Sequence, residues 1–428
     1  MILLCLDCVQ LNFYSCNFIS MVNVPVYLDY HASTPCDPRV VQAMLPWLTE
    51  NFGNASSRQH AFGWKASEGV KMARESVAKL IGGTAEELVF TSGATESINL
   101  AIKGVADKYS IKGRHIITCL TEHAAVLDTC SRLEKTGYTI TYLEVDGEGK
   151  ISLNDLKEAI QPDTILVSIM MANNETGLIQ DIKSISSICR EKEVLLFVDA
   201  TQAAGKIPID VEEMGIDLLA LSAHKFYGPK GVGALYVRRK NPRVQLSALI
   251  DGGGHERGLR SGTLNVPGIV AMGKAAELAL SEMDEDNQRI SQLRNHLEHM
   301  LCKEPEVYVN GSINDRLSTV SNLSFRFTEG PALLAAVTKQ LAVSSGSACS
   351  SASMAPSHVL MAMGLGKELA YASLRISLGR FSTEAEIHFA ENVILRALRE
   401  LRMQGQQWGM FKKGVLINQE EWKHPCGK

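Results

Sequence analysis

Short apolar runs alternate with longer amphipathic stretches through the first half of this 428-residue chain, from about Val24 to Arg238. The runs have the length of β-strands and are rich in Val, Ile and Leu, whereas Ile98, Ala101 and Val105 fall on one helical face. Strands that alternate with helices predict a mostly parallel sheet covered on both sides, and therefore an α/β fold. The predicted strands are Leu88–Thr91, His115–Cys119, Ile165–Met171, Val194–Asp199, Asp217–Ser222 and Gly233–Val237.

The pattern changes after about Glu282, where a helical stripe of apolar residues is followed by two strand-like pieces and another helical stretch. We predict a large domain over residues 36–281 and a smaller α+β domain over residues 282–428. Residues 21–35 are expected to join the small domain. The segments behind this division are the stripe Ile290, Leu293, Leu297 and Leu301, the strands Val320–Phe327 and Leu374–Ser377, and the helix Glu384–Met403.

The first twenty residues differ from the rest of the chain. Polar residues interrupt their apolar character, and they contain no Lys or Arg, so they match neither a membrane span, a secretory signal nor an Arg-rich transit peptide. Cys5 and Cys8 form a C-x-x-C without a second pair at metal-site spacing. We expect residues 1–20 to be a disordered or non-native extension with Met21 as the working start. The missing leader favours the bacterial cytoplasm over the mitochondrial matrix.

Charge and cysteine content narrow the class of protein further. The net charge is −4, with no basic stripe, which argues against a nucleic-acid or anionic-membrane partner. The ten cysteines stand at irregular spacings in a chain too long to need disulfides for stability. We therefore expect a reducing compartment, in which most thiols serve as small core residues.

A lysine and an aspartate follow two of the predicted strands. Lys225 comes after the run DLLALSA, where partial burial frees an amine to form a Schiff base. Asp199 ends the run VLLFVDA, and a buried carboxylate is costly without a cationic partner such as the ring nitrogen of pyridoxal phosphate (PLP). Asp199 precedes Lys225 by 26 residues, a spacing that places both at neighbouring strand ends. The alternative for Asp199 is a cap on the next helix.

The segment TSGATES, residues 91–97, is a turn of small residues between a predicted strand and a predicted helix. Glycine lets the backbone approach a ligand closely, and the unpaired N–H groups of a helix N-terminus attract a phosphate. The alternative is an ordinary capped helix start. No Gly-Lys-Ser/Thr follows this turn, so it is not a Walker loop. No GxGxxG opens a strand–helix unit, which argues against a nicotinamide or flavin site.

From Val24 to the C-terminus the chain resembles the cysteine desulfurase family, in the branch that serves iron–sulfur cluster scaffolds. The resemblance implies PLP fold type I, with a mostly parallel seven-stranded sheet in the large domain, a smaller α+β C-terminal domain and a homodimer. The segments that carry it are TSGATES, TEHAAVLDTC, MANNETG, VDATQAAGK, SAHKFYGPKG, GGGHERGLRSGT, SSGSACSSAS and LRISLGR.

The resemblance also implies a role for each residue around the cofactor. Lys225 would hold PLP covalently, Asp199 would pair with the ring nitrogen, and Gln202 would bond the ring hydroxyl oxygen. His123 would stack on the ring and shuttle protons, although a core histidine is the alternative from the residue alone. The phosphate would be bound by Ala94, Thr95, Ser222 and His224, with Thr263 contributed by the partner subunit.

L-Cysteine is the substrate that the resemblance implies. Asn174, which also borders the cofactor, and Arg375 would hold its carboxylate. Lys225 would remove the α-proton, and the thiolate of Cys349 would attack the substrate sulfur, leaving alanine and a persulfide on Cys349. Cys349 lies among small residues over 344–353, which predicts a mobile loop; the alternative is a structural cysteine.

The remaining expectations concern partners and rival functions. The resemblance implies transfer to a scaffold protein and other sulfur acceptors, with a frataxin-like regulator and ferredoxin as further partners. It implies no resident metal, but Cys349 as a transient iron–sulfur ligand with the scaffold. Trp408, Phe411 and Trp422 either dock a partner or fold back on their own domain, and the resemblance favours docking. The rivals are a selenocysteine lyase, an aminotransferase and a non-catalytic sulfur-relay protein.

Overall fold

The structure is a computed structural model that describes residues 22–345, 355–415, 418 and 420–425. The N-terminal extension and Cys349 lie outside the described residues. Within them the strands are β1 Val26–Tyr27, β2 Leu88–Thr91, β3 His115–Cys119, β4 Thr139–Leu143, β5 Thr164–Met170, β6 Leu195–Asp199, β7 Leu218–Ser222, β8 Gly233–Val237, β9 Val307–Val309, β10 Val320–Phe325, β11 Leu341–Ala342 and β12 Ser373–Ser377.

Helices occupy most of the chain between these strands. Several begin at a residue whose side chain accepts a hydrogen bond from the first turn, as Ser152 and Thr383 do. None of the helices in the described ranges has the length and apolar composition needed to cross a membrane. The helices are α1 Pro38–Met44, α2 Pro46–Thr49, α3 Ala61–Leu80, α4 Ala94–Lys108, α5 Ala124–Glu134, α6 Leu153–Ala159, α7 Ile182–Glu191, α8 Val266–Leu301, α9 Gly330–Val337, α10 His358–Ala362, α11 Lys367–Tyr371, α12 Glu384–Gln404 and α13 Gln406–Lys412.

The large part of the molecule is built on a seven-stranded sheet in the order β2-β8-β7-β6-β5-β3-β4. Only β8 runs antiparallel to its neighbours β2 and β7. The predicted α/β fold with a mostly parallel seven-stranded sheet is therefore confirmed. Strand β4 was absent from the sequence prediction because it is an edge strand in which only Leu143 is buried, so its apolar run is weak.

Both faces of this sheet are covered, as the apolar runs predict. Successive residues of β6 point to opposite sides: Leu196 and Val198 join the core under α3 and α8, while Phe197 packs on the α4 side. Ile98 and Ile102 of α4 are fully buried in that second core. A strand that buries both faces reads as a continuous apolar run, which is what the sequence shows.

The smaller part has its own core around an antiparallel sheet in the order β12-β10-β9. The short strand β1 pairs in parallel with β11, so the N-terminal segment joins this part of the molecule. Helix α8 runs without interruption through residues 281 and 282. The exact domain boundaries stay a prediction.

The three aromatic residues near the C-terminus fold back on their own domain. Trp422 is buried, with its ring 5.3 Å from that of Phe327, and Trp408 and Phe411 pack half-buried around the same ring. Trp422 therefore follows the alternative of folding back on its own domain, whereas Trp408 and Phe411 keep part of their surface exposed. Docking of a partner by this tail stays a prediction.

Candidate active site

A cavity of about 590 Å³ opens at the carboxyl ends of β5, β6 and β7. Ligands of doubly wound sheets collect at this edge, because the loops after parallel strands converge there. Ten of the twelve site residues predicted from the sequence line the cavity. They are Ala94, Thr95, His123, Asn174, Asp199, Gln202, Ser222, His224, Lys225 and Arg375.

The two other predicted residues are not among the cavity residues. Thr263 is exposed on the surface. Its predicted role is toward the partner subunit, which a single chain does not test. Cys349 lies outside the described residues, so the structure gives its sulfur no position.

Lys225 reaches the cavity from a short turn, Ala223–Lys225, directly after β7. Its Nζ donates hydrogen bonds to the carbonyl oxygens of His31, at 2.5 Å, and Ala32, at 2.9 Å. The His31 carbonyl also accepts from Nε2 of Gln202 at 2.9 Å. The N-terminal segment therefore orients the amine, a contribution that no motif in the sequence indicates.

Asp199 ends β6, next to β7 in the sheet, and its side chain lines the same cavity as Lys225. It is 5% exposed. One carboxylate oxygen, Oδ1, accepts from the backbone N–H of Thr201 at 2.9 Å and from the Thr201 hydroxyl. Asp199 therefore closes a turn after β6 and does not cap a helix, so the capping alternative is met only in this local form. The turn bonds use Oδ1, so Oδ2 suits a cationic group in the cavity.

The N-terminus of α4 provides an anion cradle beside this pair. Gly93 has a φ of +151°, and a Cβ on it would lie 3.7 Å from Oγ of Ser222. Ala94 and Thr95 follow in the first turn, whose N–H groups have no partner within the helix. Such a terminus attracts a phosphate group. Burial, followed by the charge of Lys225, lowers the pKa of His224 to about 4, so it contributes a neutral imidazole at pH 7.

His123 caps helix α5 and lines the cavity from the loop between β3 and α5. Its Nδ1 accepts a hydrogen bond from the N–H of Ala125 at 3.1 Å, so the neutral ring carries its proton on Nε2. Burial lowers the pKa of His123, partly offset by the charge of Asp199. A half-buried, neutral imidazole at a cavity wall suits proton transfer better than it suits a core packing role.

Arg375 enters the cavity from β12 of the small part and is 3% exposed. Its guanidinium donates to Oδ1 of Asp29 at 2.9 Å and to the carbonyl oxygen of Asn174 at 3.1 Å. Its Nε is buried and makes no hydrogen bond to the described part of the chain. The guanidinium nevertheless lines the cavity, where its fixed positive charge suits a ligand carboxylate. Asp29, a further cavity residue, was not predicted from the sequence.

A second lysine, Lys206, is buried next to the cavity residue Gln202. Nζ of Lys206 donates to the carbonyl oxygen and to Oε1 of Gln202, both at 3.0 Å. Burial, together with the charge of Lys225, lowers the pKa of Lys206 to about 7. Gln202 and Lys206 are four positions apart in VDATQAAGK. This spacing from a predicted cofactor residue is the sequence signal that could have identified Lys206.

The residues of this cavity fit PLP. An amine, a carboxylate and an anion-binding helix N-terminus converge on one space whose volume suits a ligand of that size. The amine suits the aldehyde of PLP, the carboxylate suits its ring nitrogen, and the helix N-terminus suits its phosphate. Lys225, Asp199 and the start of α4 would hold the three parts of the cofactor.

Glu175, next to Asn174, provides a stability prediction. Its carboxylate is buried and accepts from Oγ of Ser357 at 2.5 Å, and burial raises its pKa to about 7. A carboxyl whose folded-state pKa exceeds its unfolded value of 4.5 stabilises the fold below pH 4.5, and this contribution is lost as the pH rises through about 7. The shift corresponds to about 3 kcal/mol, at about 1.4 kcal/mol per pH unit.

We therefore expect Glu175→Gln to match the parent protein closely at pH 4 and to be more stable by up to about 3 kcal/mol at pH 8. The amide oxygen still accepts from Ser357, and the amide carries no charge to desolvate. Thermal unfolding at both pH values measures the difference, since all other ionisable groups are shared. A variant less stable than the parent at pH 8 would contradict a raised pKa at Glu175.

Comparison with known proteins agrees with this site. A family model described as aminotransferase class-V matches residues 26–389. Cysteine desulfurase IscS of Anaeromyxobacter sp. (strain K) is 56% identical over 405 residues, covering 94% of this chain and 100% of the relative. The protein of the same name from Haemophilus influenzae (strain PittGG) is 53% identical over 403 residues, covering 94% and 99%.

Two solved structures share the fold. A NifS-like protein superposes with a TM-score of 0.81 at 38% identity, covering 89% of this chain and 100% of that one. A structure titled SspA in complex with cysteine gives a TM-score of 0.74 at 40% identity, covering 84% and 100%. Taken with the sheet, the cavity and the residues that converge in it, these similarities show that the chain belongs to the class-V aminotransferase family and, within it, to the cysteine desulfurases.

Proposed function

We propose that this PLP-dependent cysteine desulfurase holds its cofactor on Lys225 and carries the sulfur of L-cysteine on Cys349. The observation that supports the proposal most strongly is the convergence of Lys225, Asp199 and the N-terminus of α4 on one cavity. Lys225 provides the amine, Asp199 the carboxylate for the ring nitrogen, and Ala94 and Thr95 the phosphate site.

PLP, when bound, supplies an electron-withdrawing ring that stabilises negative charge at the substrate Cα. Lys225 takes the proton from that carbon at Nζ, where the carbonyl oxygens of His31 and Ala32 hold the amine. His123 holds a proton at Nε2, because Nδ1 is occupied by the N–H of Ala125. That proton can move to or from the reacting groups at neutral pH.

Arg375 and Asn174 bind the substrate carboxylate. The guanidinium is already fixed by Asp29 and by the Asn174 carbonyl, so little side-chain freedom is lost when the substrate arrives. The positive charge of the guanidinium, which lines the cavity, attracts the substrate carboxylate. This arrangement selects a substrate with a carboxylate next to its amine.

Sulfur transfer assigns the remaining role to Cys349. Its thiolate attacks the sulfur of L-cysteine, the substrate Cβ–S bond breaks, and the carbon skeleton takes up one proton at Cβ and regains one at Cα to leave as alanine. The enzyme retains one sulfur atom as a persulfide. An aminotransferase would exchange an amino group and would need no thiol at this position.

Alanine formation from L-cysteine tests this assignment. We expect Cys349→Ala to lower the rate at least about 100-fold, since the attacking thiol is lost. Cys302→Ala, at a half-buried cysteine that ends α8, is the matched control and should retain most of the activity. Equal activity in Cys349→Ala and the parent would favour another reaction on this fold, such as amino-group transfer.

A homodimer is part of the same proposal. Exposed apolar side chains are concentrated between residues 41 and 72, and the rings of Phe52 and Phe62 stand 5.4 Å apart. So many exposed apolar side chains in one stretch of chain are typical of a subunit interface. Sedimentation of the parent should give twice the mass of one chain, whereas a Phe52→Glu variant should shift toward the monomer. The exposed side chains are those of Val41, Leu45, Leu48, Phe52, Phe62, Trp64 and Met72.

The sulfur acceptor and the compartment complete the proposed function. The relatives carry the name of a desulfurase from bacteria, and we propose that this chain likewise works in a bacterial cytoplasm. There it would pass the persulfide to an iron–sulfur scaffold and other acceptors, with a frataxin-like regulator and ferredoxin as further partners. Transfer of labelled sulfur to a purified scaffold, compared between the parent and Cys349→Ala, tests the first of these steps.

A further inference from the structure

Two histidines and a glutamate meet on the surface of the small part, and none of them lines the cofactor cavity. His296 lies on α8, and His388 and Glu391 lie on α12. Nε2 of His296 is 3.4 Å from Oε2 of Glu391, and Nδ1 of His388 is 3.7 Å from the same oxygen. The two imidazole rings stand nearly perpendicular, with centroids 4.8 Å apart.

The fold fixes the positions from which these side chains project. Helices α8 and α12 pack through one apolar core, in which Ile290 and Leu297 meet Ile387 and Ile394. His388 and Glu391 are three residues apart and thus lie on one face of α12. Both imidazoles are roughly half-exposed, whereas the Glu391 side chain is only 10% exposed. A ligand can therefore reach the group from solvent.

The three side chains have the chemistry of a divalent-ion site. Two imidazole nitrogens and a carboxylate oxygen are ligands that a divalent transition ion can bind at once. The carboxylate of Glu391 is largely buried while both imidazoles reach solvent, so the group has a fixed anchor and an open side.

Two of the three donor separations are close to those of a bound ion. Zinc bonds nitrogen and oxygen ligands at about 2.0–2.1 Å, so the donors of a tetrahedral site stand about 3.3–3.5 Å apart, and the two contacts to Oε2 of Glu391 are near that value. The three donor atoms lie within 4.8 Å of one another, so the half-exposed imidazoles would close on the ion as it binds. Nε2 of His388 is also 3.7 Å from Oε1 of Glu384, which places a carboxylate behind the ring, as zinc-binding histidines commonly have.

We propose that His296, His388 and Glu391 form a binding site for a divalent transition ion of zinc type, with water in the fourth position and Glu384 orienting His388. The ion ties α8 to α12 and thereby stabilises the small part of the molecule. This site is independent of the desulfurase reaction and uses none of its residues.

Zinc binding to the full-length holoenzyme tests the proposal. Equilibrium dialysis against Zn²⁺ followed by metal analysis should give one more zinc per chain in the parent than in His388→Gln or His296→Gln. His299→Gln is the matched control, because His299 is also exposed on α8 but outside the group. Zinc held by thiols is common to all four proteins and cancels in the comparison.

A second measurement distinguishes the site from loss of fold. Without metal, the variants should unfold at the parent's temperature, since the three rings concerned are at the surface. Adding Zn²⁺ should raise the unfolding temperature of the parent and of His299→Gln but not of His388→Gln, and Mg²⁺ should have no such effect. Equal zinc content in the parent and His388→Gln, or equal zinc-induced stabilisation, would overturn the proposal.

Discussion

A chain carrying Lys225→Ala should lose about 10³-fold or more of its rate of alanine formation from L-cysteine. The change removes both the amine that we assign to the cofactor and the base for the α-proton. Reduction with borohydride should attach the cofactor covalently to the parent chain, whereas the variant should carry no covalently bound cofactor. Measuring bound cofactor after denaturation gives a readout that does not depend on activity.

Lys230→Ala provides the control for this change. Lys230 also lines the cavity but lies at its exposed rim, and its removal should cost less than about tenfold. In Lys225→Ala, by contrast, the carbonyl oxygens of His31 and Ala32 lose the hydrogen bonds that Nζ of Lys225 donates to them. If Lys225→Ala retained covalent cofactor, another lysine would have to be the attachment site, and the assignment would be wrong.

Asp199→Asn should lower the rate about 10²- to 10³-fold with little change in the fold. The amide oxygen can still accept the hydrogen bond from the N–H of Thr201, which preserves the turn after β6. What is lost is the negative charge that stabilises a protonated ring nitrogen, and with it the electron-withdrawing power of the ring. Steady-state rates and the absorption spectrum of the bound cofactor measure the two consequences.

The matched control is Asp181→Asn, an aspartate that caps α7 and can be replaced by asparagine without loss of the cap. It should keep the parent's activity. Asp199→Glu should recover part of the rate, because charge is restored at a shifted position. Full activity in Asp199→Asn, with unchanged spectrum, would mean that the carboxylate does not face the ring nitrogen.

Apolar runs and motif positions were sufficient to predict the sheet and most of the cavity. Strands such as β5, β6 and β7 bury both faces, so their apolar character is unbroken and their ends can be identified to within about a residue. Ligands of such sheets collect where strands end, and Asp199 and Ser222 end theirs. Edge strand β4 was missed because exposure of one side removes the apolar signal.

The parts of the site that the sequence did not predict depend on long-range contacts. The carbonyl oxygens of His31 and Ala32 orient Lys225, although about 190 residues separate them in sequence. Backbone carbonyls leave no trace in side-chain patterns. Asp29 likewise meets Arg375 only because β1 and the residues after it pack against the small part. Tertiary packing, rather than local propensity, brings these groups together.

The aromatic tail shows the same limit. A cluster of aromatics among charges was compatible with an interface or with packing on its own domain. The ring of Phe327, nearly a hundred residues away, buries Trp422 against its own domain, while Trp408 and Phe411 stay partly exposed. Sequence composition gave no indication of that partner.

The most direct test of sulfur transfer to Cys349 is mass spectrometry of the enzyme after brief incubation with L-cysteine, followed by alkylation and digestion. We predict one additional sulfur atom on the peptide that contains Cys349, and none on peptides containing Cys36, Cys119 or Cys302. Alanine produced without added sulfur on the Cys349 peptide, or with the sulfur on a different cysteine, would contradict the account.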